Sequence, residues 1–326
     1  MAVNTQCRTA TGGPPTEVET RHRGRRSQRF HRDKSLLLFT IPGVCALLLF
    51  HYVPLLGNVI AFQDYQPYLG ITGSYWVGLD NFAIIINGDP AFLQALENTI
   101  VLTFLQVVFV FPAPIALALL LNSLAREWVK RVVQTILYLP HFLSWVIVVA
   151  IFQHMLGSAG LVNSWLRTHG YTTISIIGNP DAFKGLITAE VVWKEVGWGT
   201  ILFLAALSQI DSTLYEAAEV DGASAWRQMW HITLAGLRPL IILLGILRLG
   251  DVLSVGFEQI ILQQGPVGLA VSEVLDTYVY NNGVLQGSWG VAAAVGLVKG
   301  VIGTALVLGA NKVAHLFGEA GVYKKP

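Results

Sequence analysis

The stretch YEAAEVDGASAWRQMWHITLAGLRPL, Tyr215 to Leu240, decides the fold. Glu216, Glu219, Asp221, Arg227, His231 and Arg238 crowd it, yet apolar runs suited to a bilayer lie on both sides. Just upstream, Asp211 or Ser212 offers an N-cap for a short helix through Leu214, Tyr215, Ala217, Ala218 and Val220. Asp221-Gly222 is a turn signal, because glycine accepts backbone angles that other residues avoid. A second short helix then places Trp226, Met229, Trp230 and Thr233 at spacings of three and four, a wide apolar-aromatic face. Residues 211–236 thus read as a helix–turn–helix with one face for a membrane domain and another for something else.

The chain of 326 residues is 53% hydrophobic and 13% charged, where soluble domains carry roughly 25% charged residues. So little charge cannot cover a soluble globule, which points to an integral membrane protein. Six runs, at about 36–62, 96–121, 134–156, 186–208, 237–262 and 290–312, approach or exceed the ~20 residues a helix needs to cross ~30 Å of hydrocarbon. The first run is longer than a signal-peptide core and no small-x-small cleavage site follows it, so it reads as a retained span.

Lys and Arg orient the spans. The arm 1–35 holds Arg21, Arg23, Arg25, Arg26, Arg29, Arg32 and Lys34 and reads as a largely disordered juxtamembrane anchor against lipid rather than a nucleic-acid arm. Connections 63–95 and 263–289 contain no Lys or Arg, 122–133 has Arg126, Lys130 and Arg131, and the tail 317–326 carries Lys324 and Lys325. The alternation predicts both termini and the hairpin in the cytoplasm, with a six-span domain over 36–316. A DNA-binding helix–turn–helix is disfavoured: the hairpin lacks a basic recognition face and is tethered at both ends.

Cys7 and Cys45 form no framework or zinc pattern, and the eight histidines show no ligand spacing. Neither a GxxxxGK[ST] phosphate loop nor an HExxH or GxSxG motif occurs. No catalytic residue, metal or cofactor is therefore expected on this chain.

Glu216-Ala217-Ala218, Gly222 after three residues, and Ile232-Thr233-Leu234 after nine more resemble the EAA loop of permease subunits of ATP-binding-cassette (ABC) importers. The family usually places proline after that leucine; here Ala235 stands there and the nearest proline is Pro239. FQDYQPYLGITGSYWVGLDNF (62–82) and FEQIILQQGPV (257–267) resemble permeases linked to oligosaccharide or polysaccharide uptake. The resemblance implies an all-α polytopic permease with six transmembrane helices and a cytoplasmic coupling helix pair between the fourth and fifth. It further implies a second permease subunit, two ATPase subunits that bind ATP and Mg, and an extracytoplasmic solute-binding protein. Glu216, Ala217, Ala218 and Gly222 would meet the ATPase, with Asp221, Ile232 and Leu234 completing the loop. A permease for a non-sugar solute is an alternative, as is an ion-driven secondary transporter, which calls for an intramembrane ion site and inverted repeats; no clear repeat is visible.

Ionisable groups inside spans are costly and mark candidate substrate contacts. Glu190 and Lys194, four apart, are expected to pair on one helix face. Trp193 and Trp198 offer faces for sugar rings or an interfacial aromatic belt. Arg248 and Asp251, three apart, are expected to form an interior ion pair, with Asp251 and Glu258 also candidates for the path. Gln106 and Gln259 are weaker candidates, and Lys299 is expected to face protein or water.

Overall fold

The computed structural model describes residues 38–124 and 126–316, with 318, 321 and 323. The arm expected over 1–35 lies outside the described residues, as does most of the tail expected over 317–326. The chain divides into two compact units, Met1–Asn58 and Val59–Pro326. A helix, Leu38–Phe62 (α1), leads out of the first.

The second unit is helical apart from one ladder among the described residues, Gln63–Asp64 antiparallel to Tyr75–Trp76 with Gln63 opposite Trp76. Its long elements are Pro90–Asn122 (α2), Glu127–Tyr138 (α3), Trp145–Leu156 (α4), Leu161–Thr168 (α5), Pro180–Leu207 (α6), Ser212–Val220 (α7), Ala225–Gly250 (α8), Phe257–Val267 (α9), 275–285 (α10) and Trp289–Leu316 (α11). α10 begins as an α-helix, Leu275–Tyr280, and finishes as a π turn, Asn281–Leu285.

Among the described residues, five helices are long and apolar enough to cross a membrane: α1, α2, Trp145–Thr168, α8 and α11. α6 qualifies only together with α7, from which it bends by 70°. The reason is its content of Glu190, Lys194 and Glu195. Two of these are turned inward: Glu190 is 0% and Lys194 6% exposed. With α6 included, the fold is the expected all-α, six-span one.

Two spans differ from their expected limits. The run 134–156 is divided, because Pro140 supplies no backbone N–H and the chain unwinds before Ser144 caps α4 through the Ile147 amide. The amphipathic α3 stands apart from it. The run 237–262 is also divided: α8 ends at Gly250, and α9 starts after Gly256, which has φ +104°. At its other end α8 absorbs the second hairpin helix, passing through a π turn at Met229–Thr233 and on through Ala235 without a break.

Two layers of core hold α6 in place. In one, Leu102 packs with Phe183, Ile187, Val255, Ile260 and Val274. In the other, Ala118 packs with Phe203, Leu207 and Leu237. α8 and α11 cross so closely that a Cβ on Gly303 would stand 2.6 Å from the Gly250 carbonyl oxygen, which only glycine permits.

Candidate functional site

The hairpin of α7 and α8 follows the expected plan. Asp211 caps α7 by accepting the Thr213 amide at 2.9 Å, and that bond holds its carboxyl below the usual aspartate range. At the far end Gly222 takes φ +72°, and the Ala223 amide returns to the Ala218 carbonyl at 2.8 Å. This closure satisfies a carbonyl that the helix end would leave bare. The Tyr215 and Thr233 hydroxyls share a hydrogen bond at 2.9 Å and tie the two helices together. Glu216, Ala217, Asp221 and Gly222 are exposed around the turn, while Ala218, Ile232 and Leu234 are half-buried. The expected apolar-aromatic face is split. Thr233 is buried and Met229 half-buried, whereas Trp226 and Trp230 form an exposed edge-to-face pair.

A cavity of about 430 Å³ lies between α2, α6 and α8. Val191, Glu195, Trp198 and Leu202 line it from α6 at spacings of four, three and four, one helical face. Leu247, Arg248 and Asp251 contribute the α8 side, and Val110, Phe111 and Pro114 the α2 side. Trp198 is 46% exposed and stacks on the His141 ring at a centroid distance of 4.4 Å. His141 Nδ1 is 2.8 Å from Glu195 Oε2, and its carbonyl accepts from Lys194 Nζ at 2.6 Å. The indole is thus braced on one side by a fixed imidazole, with Glu195 beside it on α6 and Arg248 and Asp251 lining the same cavity from the α8 side.

The candidate residues are sorted differently from the expectation. Trp198 and Asp251 reach the cavity; Trp193 lines a separate apolar groove with Leu105, Phe109 and Val192. Glu190 does not pair with Lys194. Both Gln259 and Gln263 donate to its Oε2, at 2.6 and 2.7 Å, while Lys194 turns to His141, to Glu195 at 3.6 Å, and over the Trp145 ring. Residues four apart share a face, but groups on other segments took each partner: amide donors from α9 for Glu190, and the His141 carbonyl for Lys194. Arg248 likewise forms no ion pair with Asp251: it donates to Gln106 Oε1 at 2.7 Å, and Asp251 lies past the helix end at Gly250. Glu258 is exposed at the start of α9 and does not line the cavity. Lys299 does face protein, pairing with Asp276. Glu195 and Arg248 were missed as cavity-lining residues, and His141 as the brace behind Trp198 and Glu195. The 191–195–198–202 spacing carried the signal for Glu195; His141 sits in the broken turn after α3 and carried none.

A row of polar side chains on α2 was also missed, apart from Gln106. Asn98 donates to the carbonyls of Ala270 and Glu273, at 3.1 and 2.9 Å, and Thr99 accepts the Leu275 amide at 2.9 Å. Thr103 donates to the Val252 carbonyl, and Gln106 to that of Val255 at 3.1 Å. Non-helical backbone at membrane depth requires such partners, so this one face of α2 is what permits the breaks on either side of α9.

Residues 110–315 match the family described as binding-protein-dependent transport system inner membrane component. The chain belongs to this family. It is 46% identical over 293 residues to the polygalacturonan/rhamnogalacturonan transport system permease protein YteP of Bacillus subtilis, covering 90% of this chain and 91% of that protein. Protein LplB of the same organism is also 46% identical, covering 90% and 92%. The fold superposes on a chain of a bacterial alginate ABC transporter, crystallised in complex with an alginate pentasaccharide-bound periplasmic protein. The TM-score there is 0.82 with 35% identity, over 90% of this chain and 99% of that one. The protein is therefore an ABC importer permease, a membrane component of a binding-protein-dependent transport system.

Proposed function

We propose that this permease carries an oligosaccharide, and that the cavity holding Trp198 is its share of the path. The carrying observation is the braced indole beside Glu195, Arg248 and Asp251. An aromatic face offers apolar contact to sugar CH groups while the polar groups suit hydroxyls. Relatives named for polygalacturonan/rhamnogalacturonan and arabinooligosaccharide transport support the substrate class.

In this reading a second permease completes the path and a solute-binding protein delivers sugar at the outer face. Of two ATPase subunits, which hold the ATP and Mg, one docks on Glu216, Ala217, Ala218, Asp221 and Gly222, with Ile232 and Leu234 supporting the loop. This chain hydrolyses nothing itself. Both termini lie in the cytoplasm, on the hairpin's side. Small Ala217 and Ala218 admit close approach, and Glu216 can form a charge-assisted hydrogen bond with a basic partner. Movement of the hairpin then tilts α6 and α8 and exposes the cavity alternately to each side.

The test is uptake by the whole complex in proteoliposomes, with binding protein loaded in turn with oligogalacturonate, alginate pentasaccharide and arabinooligosaccharide. At least one stimulates uptake, and Trp198→Ala lowers it roughly tenfold, the equivalent of one lost contact of about 1.4 kcal/mol, while Trp198→Phe retains most. No response to any of these sugars together with a response to a non-carbohydrate solute overturns the substrate class.

A further inference from the structure

α8 is one continuous helix of 26 residues, about 39 Å at 1.5 Å per residue. It starts in the hairpin and stops at Gly250, where the backbone unwinds until α9 begins at Phe257. Its far end is gripped at one side chain. Gln106, 4% exposed, accepts from the Arg248 guanidinium through Oε1 and donates to the Val255 carbonyl through Nε2. A single amide therefore joins the end of α8, the unwound segment and α2.

The position of Gln106 on α2 adds to this. It is the first residue of a π turn, Gln106–Val110, inside an otherwise α-helical span. Such turns are places where a helix departs from its regular bond pattern, and they recur at functional sites. Thr103, three residues earlier, holds the Val252 carbonyl. Beyond the break, α9 reaches α6 through Gln259 and Gln263 on Glu190. Any displacement of the end of α8 must either break the Arg248 and Val255 bonds of Gln106, the second of them buried where the surroundings offer no replacement, or carry the unwound segment and α9 with it.

We propose that Gln106 is the positioning residue that transmits motion of the hairpin, delivered along α8, to the outer segment 251–267. The proposal rests on the hairpin being the ATPase contact. An amide is suited to the task because it accepts from the lever and donates to the segment at once; a carboxylate can only accept and an aliphatic group does neither.

The test is the distance between spin labels at Tyr171 and Leu269, both exposed, with Cys7 and Cys45 replaced by serine, in the assembled complex in nanodiscs. It is measured without nucleotide and after trapping with Mg-ATP and vanadate. The unsubstituted complex shows a shift on trapping. Gln106→Leu loses that shift while trapping the same amount of nucleotide. Gln106→Glu, which keeps an acceptor for Arg248 but brings no N–H to Val255, loses it too, and it decides the matter if Gln106→Leu fails to assemble. A full shift in Gln106→Glu overturns the proposal. Glu216→Lys separates the layers: if it shifts normally, the hairpin reading fails; if it is silent while both Gln106 variants shift, only the role of Gln106 fails.

Discussion

Glu190 shows how a single side chain changes meaning once its neighbours are known. A carboxyl in a span invites a substrate role, yet this one is fully buried and engages two glutamine amides from α9. Glu190→Leu takes the acceptor from Gln263 and one of the two acceptors from Gln259, whose amide still donates to the Ile187 carbonyl, and each buried N–H left unpaired costs about 1–3 kcal/mol. Glu190→Gln retains an acceptor and is far milder. The melting temperature of the purified complex distinguishes them: a clear drop for leucine and a small one for glutamine. Equal drops would mean that the two bonds do not hold α9 on α6. Asp211 makes a prediction of the opposite kind, at the surface. Its folded carboxyl titrates below the ordinary 3.8 because it accepts the Thr213 amide. The cap is therefore fully in place above that value and is lost as pH falls through the lower folded value. Amides at the start of α7 exchange faster with solvent only under that acid condition, and Asp211→Asn, which still caps, removes the pH dependence.

At the level of elements, the hairpin was legible and the breaks were not. Asp211, the Asp221-Gly222 turn and the spacing of the tryptophans are local signals, each within one or two turns of the residues it governs. The unwinding after Gly250 has no comparable signal. Its carbonyls at Val252 and Val255 are satisfied by Thr103 and Gln106, the latter 149 residues away in sequence. An apolar run reads as one helix unless something distant stabilises the alternative. The same reasoning explains α3 and α4, where Pro140 did give a local hint. Ala235 in the usual proline position has a simple counterpart in the structure: α8 continues through it, so the second hairpin helix and the span form one continuous helix.

For the whole molecule, a continuous helix anchored in an exposed turn makes the hairpin a place from which motion can enter the membrane. Gly222 sits at φ +72°, and proline is locked near −65°, so Gly222→Pro destroys the turn. Glu216→Lys reverses the charge offered to a partner while leaving the helix intact. Both variants abolish ATP-dependent uptake in proteoliposomes, and Glu216→Lys does so without loss of folded permease on size-exclusion chromatography. Uptake that survives both variants sinks the coupling role. Large apolar faces such as Phe39, Phe50, Leu56, Phe104 and Leu120 remain exposed on this chain alone, as expected where lipid or another subunit supplies the cover.

Composition, the length of the apolar runs and the Lys/Arg alternation were enough by themselves to define a six-span helical protein, with the family legible in the spacing of Glu216, Gly222 and Leu234. These are one-dimensional properties, counted along the chain. Tertiary structure alone decided which polar group meets which. Helical periodicity puts Glu190 beside Lys194 and Arg248 near Asp251, but it says nothing of the neighbour across the interface. In a bundle where every buried donor must find an acceptor, Gln259, His141 and Gln106 on other segments took those partners instead.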